Sequence, residues 1–280
     1  MNIKRFFVVC AGLVAMAGLV GCSDNDDDTV GPATGRVQVQ LTDAPAVFNE
    51  VNIVITEVAV HQSGSDSTAW ETLRTDSTTV DLLTLQNGAI RQLAAANVPS
   101  GHYTQLRLMV GNGSTVVVDG VTHPLIIPSG MQSGIKVIGN FDVSGGGTTD
   151  LTLDFDAARS IHETGSGEFM LQPVIRMIVN RGSTAGSITG TVQPDSLGAF
   201  IYAIQGPDTV QTTRPQISGQ FTLGLLPVGT YTVAIHPDTA YRDTTRTSVG
   251  VTAAHTTNLG DIVLTHQPAE APVVAVRRRH

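Results

Sequence analysis

Apolar and polar residues alternate along most of this chain. In "GRVQVQLTDAP", Val37, Val39 and Leu41 fall on one side of a two-residue period, and Arg36, Gln38 and Gln40 fall on the other. That pattern predicts a half-buried strand. "VNIVITEVAVHQSG" is rich in Val and Ile and closes in a turn. "STVVVDGVTHPLIIP" sets Asp119-Gly120 between two apolar runs, which is a strong hairpin signal. "IKVIGNFDVSGGGTTDLTLDFDA" predicts two strands across a glycine turn, and "FMLQPVIRMIV" predicts another. Helical periodicity is scarce. The best candidate is "IRQLAAAN", a short helix before Pro99. Short strands with Gly and Pro punctuation predict an all-β chain of β-sandwich domains in tandem.

The pattern also divides the chain. "RGSTAG", residues 181–186, is small and polar and reads as a linker between a sandwich over 36–181 and a second over 186–265. The second unit predicts about seven short strands. Residues 266–280, "HQPAEAPVVAVRRRH", read as a mobile tail. One phrase occurs in both units. "VPSGHYTQLRL" from Val98 and "LPVGTYTVAIH" from Leu226 share Pro-x-Gly-x-Tyr-Thr and run into alternating apolar residues. Pro presets a turn and Gly accepts backbone conformations other residues resist. Each Tyr is expected to open a strand, its ring packed inward and its hydroxyl at the rim. The roles of Tyr103 and Tyr231 are therefore structural.

The N-terminus breaks the strand pattern. Lys4 and Arg5 precede a nearly unbroken apolar run from Phe6 to Val20. At roughly 15 residues the run is short for a bilayer span and fits a signal peptide over residues 1–21. It ends in Leu19-Val20-Gly21-Cys22, which resembles the bacterial lipobox. The resemblance implies diacylglyceryl transfer to Cys22, cleavage before it, and acylation, with palmitate among the chains. Membrane lipid is then a partner through Cys22. Ser23 stands where an inner-membrane retention signal would have Asp, which favours the outer membrane in a Gram-negative host. Residues 22–35, acidic and Gly/Pro-containing, read as a flexible tether. Asp24, Asp26 and Asp28 echo a calcium-loop start, but Thr29 and Gly35 stand where that loop needs Gly and Glu.

Charge and cysteine content narrow the function. The 280 residues carry a formal net charge of -8. Loss of 1–21 removes Lys4 and Arg5 and no acid, leaving the mature chain more acidic still. That balance speaks against nucleic-acid partners, which need a basic footprint. Of two cysteines, Cys10 leaves with the signal and Cys22 carries lipid. No disulfide is available, and the domains must be held by apolar burial.

Two resemblances follow from the phrases. "VQLTDAP", "VNIVITEVAVHQSG", "VDLLTLQNG", "VPSGHYTQLRL", "VDGVTHPLIIPSGMQSGIKV" and "TDLTLDFDAARSIHETGSGEFMLQPVIR" occur in order over residues 36 to about 180. This segment resembles the bacterial family called domain of unknown function 4382 (DUF4382). The resemblance implies a surface lipoprotein of unestablished activity and transfers no catalytic residue. "GSITGTV", "GQFTLGLLPVGTYTV" and "TTNLGDIVL" resemble the carboxypeptidase regulatory-like, prealbumin-type sandwich, which is grouped with carbohydrate-binding-like folds. Such modules are commonly accessory or stalk units, and a fold does not confer function.

Catalytic motifs are missing from the sequence. There is no Gly-x-Ser-x-Gly elbow or phosphate loop, and His162-Glu163 is followed by Ser166 where a zincin helix needs His. In "TDLTLDFDA", Leu151, Leu153 and Phe155 have one parity, and Asp150, Asp154 and Asp156 have the other. Such a face is hydrated, holds a loop-capping Asp, or is bridged by a cation. Asp154, Asp156 and the nearby Asp43 of "LTDAP" are the candidate calcium ligands. No other cofactor is expected. Trp70 is the candidate glycan platform, against a packed cross-strand role. The resulting expectation is a non-enzymatic, lipid-anchored cell-envelope protein whose partner is an envelope or extracellular polymer or protein. A carbohydrate-binding accessory lipoprotein and an unrecognised hydrolase are the alternatives.

Overall fold

The structure is a computed structural model and describes residues 33–66, 69–128, 132–179, 184–194, 198–237 and 241–267. The expected signal peptide, Cys22 and most of the expected tether and tail lie outside the described residues. Among the described residues no helix is long and apolar enough to cross a membrane.

The all-β expectation holds. In chain order the first strands are β1 (Thr34–Ala44), β2 (Glu50–Gln62), β3 (Glu71–Arg74) and β4 (Thr78–Asp81). There follow β5 (Arg91–Pro99), β6 (Gly101–Val110), β7 (Thr115–Val118), β8 (Val121–Ile126) and β9 (Ile135–Val143). Then come β10 (Thr148–Asp156), a one-turn helix α1 (Ala157–Ser160), β11 (Ile161–Glu163), β12 (Phe169–Leu171) and β13 (Ile175–Val179). One sheet runs β13-β10-β1-β5. The facing sheet runs β11-β12-β8-β7-β2-β6-β9, with β3 and β4 also paired to β2. Val37, Val39, Leu41, Leu151, Leu153 and Phe155 from one sheet meet Ile53, Val58, Val60, Leu106 and Leu108 from the other in a continuous core.

A second core belongs to the remaining strands. These are β14 (Gly186–Gln193), β15 (Phe200–Gln205), β16 (Asp208–Thr213), β17 (Gln220–Leu226), β18 (Gly229–His236), β19 (Thr244–Val251) and β20 (Thr256–Val263). They form a sheet β17-β14-β20 and a sheet β16-β15-β18-β19. Ile188, Val192, Ile201, Val233, Ile235 and Ile262 are fully buried between them.

Local signals explain several elements. Asp119 and Gly120 both take positive φ, 50° and 77°, the twist a two-residue hairpin needs, and Val118 pairs with Val121 across them. The glycine turn after Val143 does not make a hairpin, because β9 and β10 lie in different sheets. "RQLAAANVP" is not a helix. It is β5, antiparallel to β1 with Ala96 opposite Val37 and Ala94 opposite Val39. Its alanines favour helix in isolation, but the backbone partner offered by β1 outweighs a propensity worth tenths of a kcal/mol per residue. Arg74 adds a side-chain bond to the Leu93 carbonyl at 2.8 Å. The linker expected at 181–186 is partly absorbed into the second unit. Ala185 is buried, its carbonyl accepts from Ala254 N at 2.8 Å, and Gly186 opens β14.

The repeated phrase builds one device twice. Tyr103 and Tyr231 are fully buried at the starts of β6 and β18. Tyr103 Oη donates to Pro99 O at 2.8 Å, and Tyr231 Oη donates to Pro227 O at 2.7 Å. Each hydroxyl thus ties its strand to the chain four residues upstream. At both corners the glycine lies against a glutamine side chain that any Cβ would have to displace. A Cβ on Gly101 would collide with the Gln62 amide, and a Cβ on Gly229 with the Gln205 amide.

Candidate functional site

The acidic positions gather at one end of the β1–β10 pair. These strands run parallel, with Thr42 opposite Asp154, Asp43 opposite Phe155 and Ala44 opposite Asp156. Alternation then separates the carboxylates. Asp43 keeps the parity of Val37, Val39 and Leu41, so it sits on the core face. Asp154 and Asp156 have the parity opposite to Leu153 and Phe155, so they face outward.

Their partners confirm the split. Asp43 Oδ1 accepts from Ala157 N at 3.1 Å, and its Oδ2 lies 3.5 Å from Gln86 Nε2. Burial pushes this carboxyl up to about 9, and the charges of Asp154 and Asp156 push the same way, against the two donors. Asp43 is therefore a neutral acid near neutral pH, joining the end of β1 to the start of α1. Asp154 is opposite Arg176 in the β10–β13 pairing, and its Oδ2 accepts from Arg176 Nη2 at 2.6 Å. Its Oδ1 is buried without a hydrogen-bond partner among the described residues. Burial raises the Asp154 carboxyl, Arg176 opposes that, and Asp156 adds repulsion. Asp156 caps α1, accepting from Arg159 N at 2.9 Å.

The calcium expectation meets a different arrangement. Asp43, Asp154 and Asp156 are neighbours, but their oxygens turn to separate protein donors on two sides of a sheet. Among the described residues no group of three His, Cys, Asp or Glu side chains gathers as a metal site. The outward face is also not the hydrated face that its sequence suggests, since Thr152 and Asp154 are buried. Part of that cover comes from the second sandwich. Arg176 Nη1 donates to Val210 O at 2.8 Å, and Nη2 reaches Gln211 Oε1 at 3.2 Å. A cavity of about 380 Å³ remains, lined by Asp154, Asp156, Arg159, Arg176, Tyr202 and Gln211 among others.

Trp70 is half-buried just before β3. The Arg107 guanidinium carbon lies 4.4 Å from its ring centroid and Lys136 Nζ lies 5.9 Å away. His61 meets the ring edge-on at 5.2 Å. Arg107 is fixed in turn by Glu57 Oε1 at 2.7 Å. The indole therefore caps a cross-strand ladder of charged residues, a cation–π arrangement that engages the ring a sugar would need.

Sequence reasoning missed Arg176, Asn87 and Gln211. Arg176 reads as one polar residue in "PVIRMIV". Only the register that sets it against Asp154 gives it a role. Asn87, at φ 57°, accepts from Thr213 Oγ1 at 2.8 Å and Thr222 N at 3.4 Å, across the boundary between the two units. No local signal marks such a contact.

The fold and site define a tandem β-sandwich protein whose acidic corner lies where the two sandwiches meet. The family described as "Domain of unknown function (DUF4382)" matches residues 34–173, half of the chain, and the chain belongs to that family. No curated protein matches it in sequence. Among solved structures it is similar to the Bacillus anthracis TIE protein, at 13% identity and a TM-score of 0.21, over 84% of this chain and 34% of that one. The chain thus spans about a third of the TIE chain's length. It is also similar to GBS52, the minor pilin of Streptococcus agalactiae, at 10% identity and a TM-score of 0.24, over 84% and 98% of the two chains. The shaft pilin SpaA from Lactobacillus rhamnosus GG gives 9% identity and a TM-score of 0.24, over 85% and 100%.

Proposed function

We propose that this protein is a non-enzymatic, lipid-anchored component of the cell envelope with a structural or binding role. The observation that carries the reading is Leu19-Val20-Gly21-Cys22 behind Lys4, Arg5 and an apolar run too short to span a bilayer. Acyl chains on Cys22 contribute about 0.8 kcal/mol per buried methylene, and two or three together anchor firmly. In a Gram-negative host the site is the outer membrane. The second sandwich is read as a carboxypeptidase regulatory-like module acting as a spacer. Its "GSITGTV" becomes β14, and "GQFTLGLLPVGTYTV" becomes β17, the corner and β18.

The acidic corner supports the non-enzymatic part. Its carboxyl groups are engaged by Arg176, Ala157 and Arg159 in holding the fold together. The structural role is favoured over sugar binding because Arg107 already stacks on Trp70.

The test is Cys22→Ser in cells fed labelled palmitate. Labelling is expected to vanish and an unprocessed precursor to accumulate. A second chain, with residues 1–22 replaced by a conventional secretory signal, is expected to be released soluble. Retention of that chain on membranes after a high-salt wash would show another attachment and overturn the single-anchor reading.

A further inference from the structure

Contacts between the two sandwiches are anchored from within the first. Arg176 is half-exposed, yet its guanidinium has three partners. One is Asp154 of its own sandwich, and the other two are Val210 O and the Gln211 side chain on β16. Arginine is suited to this, because a planar fork already fixed by a carboxylate loses little further freedom in making more bonds. The grip cannot be released without cost. Asp154 is buried, with its second oxygen already unpartnered. Removing Arg176 would leave an uncompensated buried carboxylate.

Other points of attachment lie beyond this pair. Asn87 bridges to Thr213 and Thr222, so one amide oxygen holds both β16 and β17. Its left-handed backbone suits asparagine better than most residues. Gly88 faces Thr222 and Gly224, where an added Cβ would stand 3.1 Å from the Thr222 methyl. Arg214 Nη1 reaches back to Ala46 O at 3.5 Å. These contacts run along the edge strand β16 and its end, at Val210, Gln211, Thr213 and Arg214, and reach β17 at Thr222, so several bonds oppose rotation about any one of them.

We propose that the Asp154–Arg176 pair and Asn87 form an inter-sandwich clasp that fixes the relative orientation of the two sandwiches. Tandem domains with polar interfaces move relative to one another by default. The clasp removes that freedom. It does not depend on lipidation, so the anchor and the clasp can fail separately.

The experiment uses the full chain in detergent with Cys10→Ser and Cys22→Ser. Spin labels are attached through Thr79→Cys on the first sandwich and Thr245→Cys on the second, both exposed positions. Pulsed dipolar spectroscopy then reads the distance distribution between them. The parent should give one narrow peak. Arg176→Gln should widen it about twofold or more, and Asn87→Ala should widen it less, as domains regain independent motion. Where Arg176→Gln fails to fold, Asp154→Asn with Arg176→Gln removes the buried charge and the clasp together, and should give the same widening. A broad distribution in the parent, or a peak unchanged by loss of Arg176, overturns the proposal.

Discussion

The first and second sandwiches share one wiring. In each, the opening strand pairs antiparallel with the strand before the tyrosine corner, β1 with β5 and β14 with β17. The same opening strand pairs parallel with a late strand, β1 with β10 and β14 with β20. The strand after each corner crosses to the other sheet and is flanked by its second and penultimate partners, β6 by β2 and β9, and β18 by β15 and β19. Even the glutamine against the corner glycine recurs, at the end of β2 and the end of β15. The difference lies at the end of the parallel pair. In the second sandwich the core face of that end is apolar, with Val192, Ile262 and Leu264 buried, while Asp261, opposite Thr191, is exposed on the other face. In the first it holds Asp43 and Asp154, and an added strand, β13, supplies Arg176. Shared wiring thus sets the sandwich, and polar substitutions at one end decide what it docks against.

The largest expected effect of a single substitution at one pH tests whether the corners are equivalent. Tyr103→Ala and Tyr231→Ala should each cost about 3–5 kcal/mol, as lost burial and cavity combine. Urea unfolding of the two variants measures this. A corner that tolerates alanine with little loss would show that only one of them organises its sandwich.

The acidic end should appear next, as a pH dependence confined to the first sandwich. A carboxyl whose value is higher folded than unfolded binds its proton more tightly in the fold. Stability should therefore be full below the ordinary value of 3.8 and decline as pH rises toward about 9. The slope for one proton is at most about 1.4 kcal/mol per pH unit. Asp154 adds a contribution of the same sign. Asp43→Asn should flatten much of the decline when melting is followed across pH. An unchanged slope would place the titration elsewhere.

The smallest effect separates ring from hydroxyl. Tyr103→Phe and Tyr231→Phe each remove one hydrogen bond to a proline carbonyl and should cost about 1 kcal/mol. Tyr103 carries a further signature. Burial, with Glu71 nearby, pushes its hydroxyl up from 10.0 to about 12. Its contribution should fall away over that alkaline interval in the parent and be absent in Tyr103→Phe, as denaturation at high pH would show.

The sequence by itself determined the strand content, the cores and the corners. Alternation at Val37, Val39 and Leu41 survives folding because a pleated strand has only two faces. Asp119-Gly120 and the two Tyr phrases act within a few residues, so their meaning is local. The tertiary structure alone decided the rest. "RQLAAANVP" became a strand because β1 offered it a ladder. Asp43 and Asp154 parted because parallel register and parity send them to opposite faces of one sheet, where a low-dielectric core and a guanidinium meet them separately. Arg176 and Asn87 acquired their roles from partners 34 and 126 residues away in the chain. No local pattern encodes those distances, since they arise only when two separately buried cores are brought side by side.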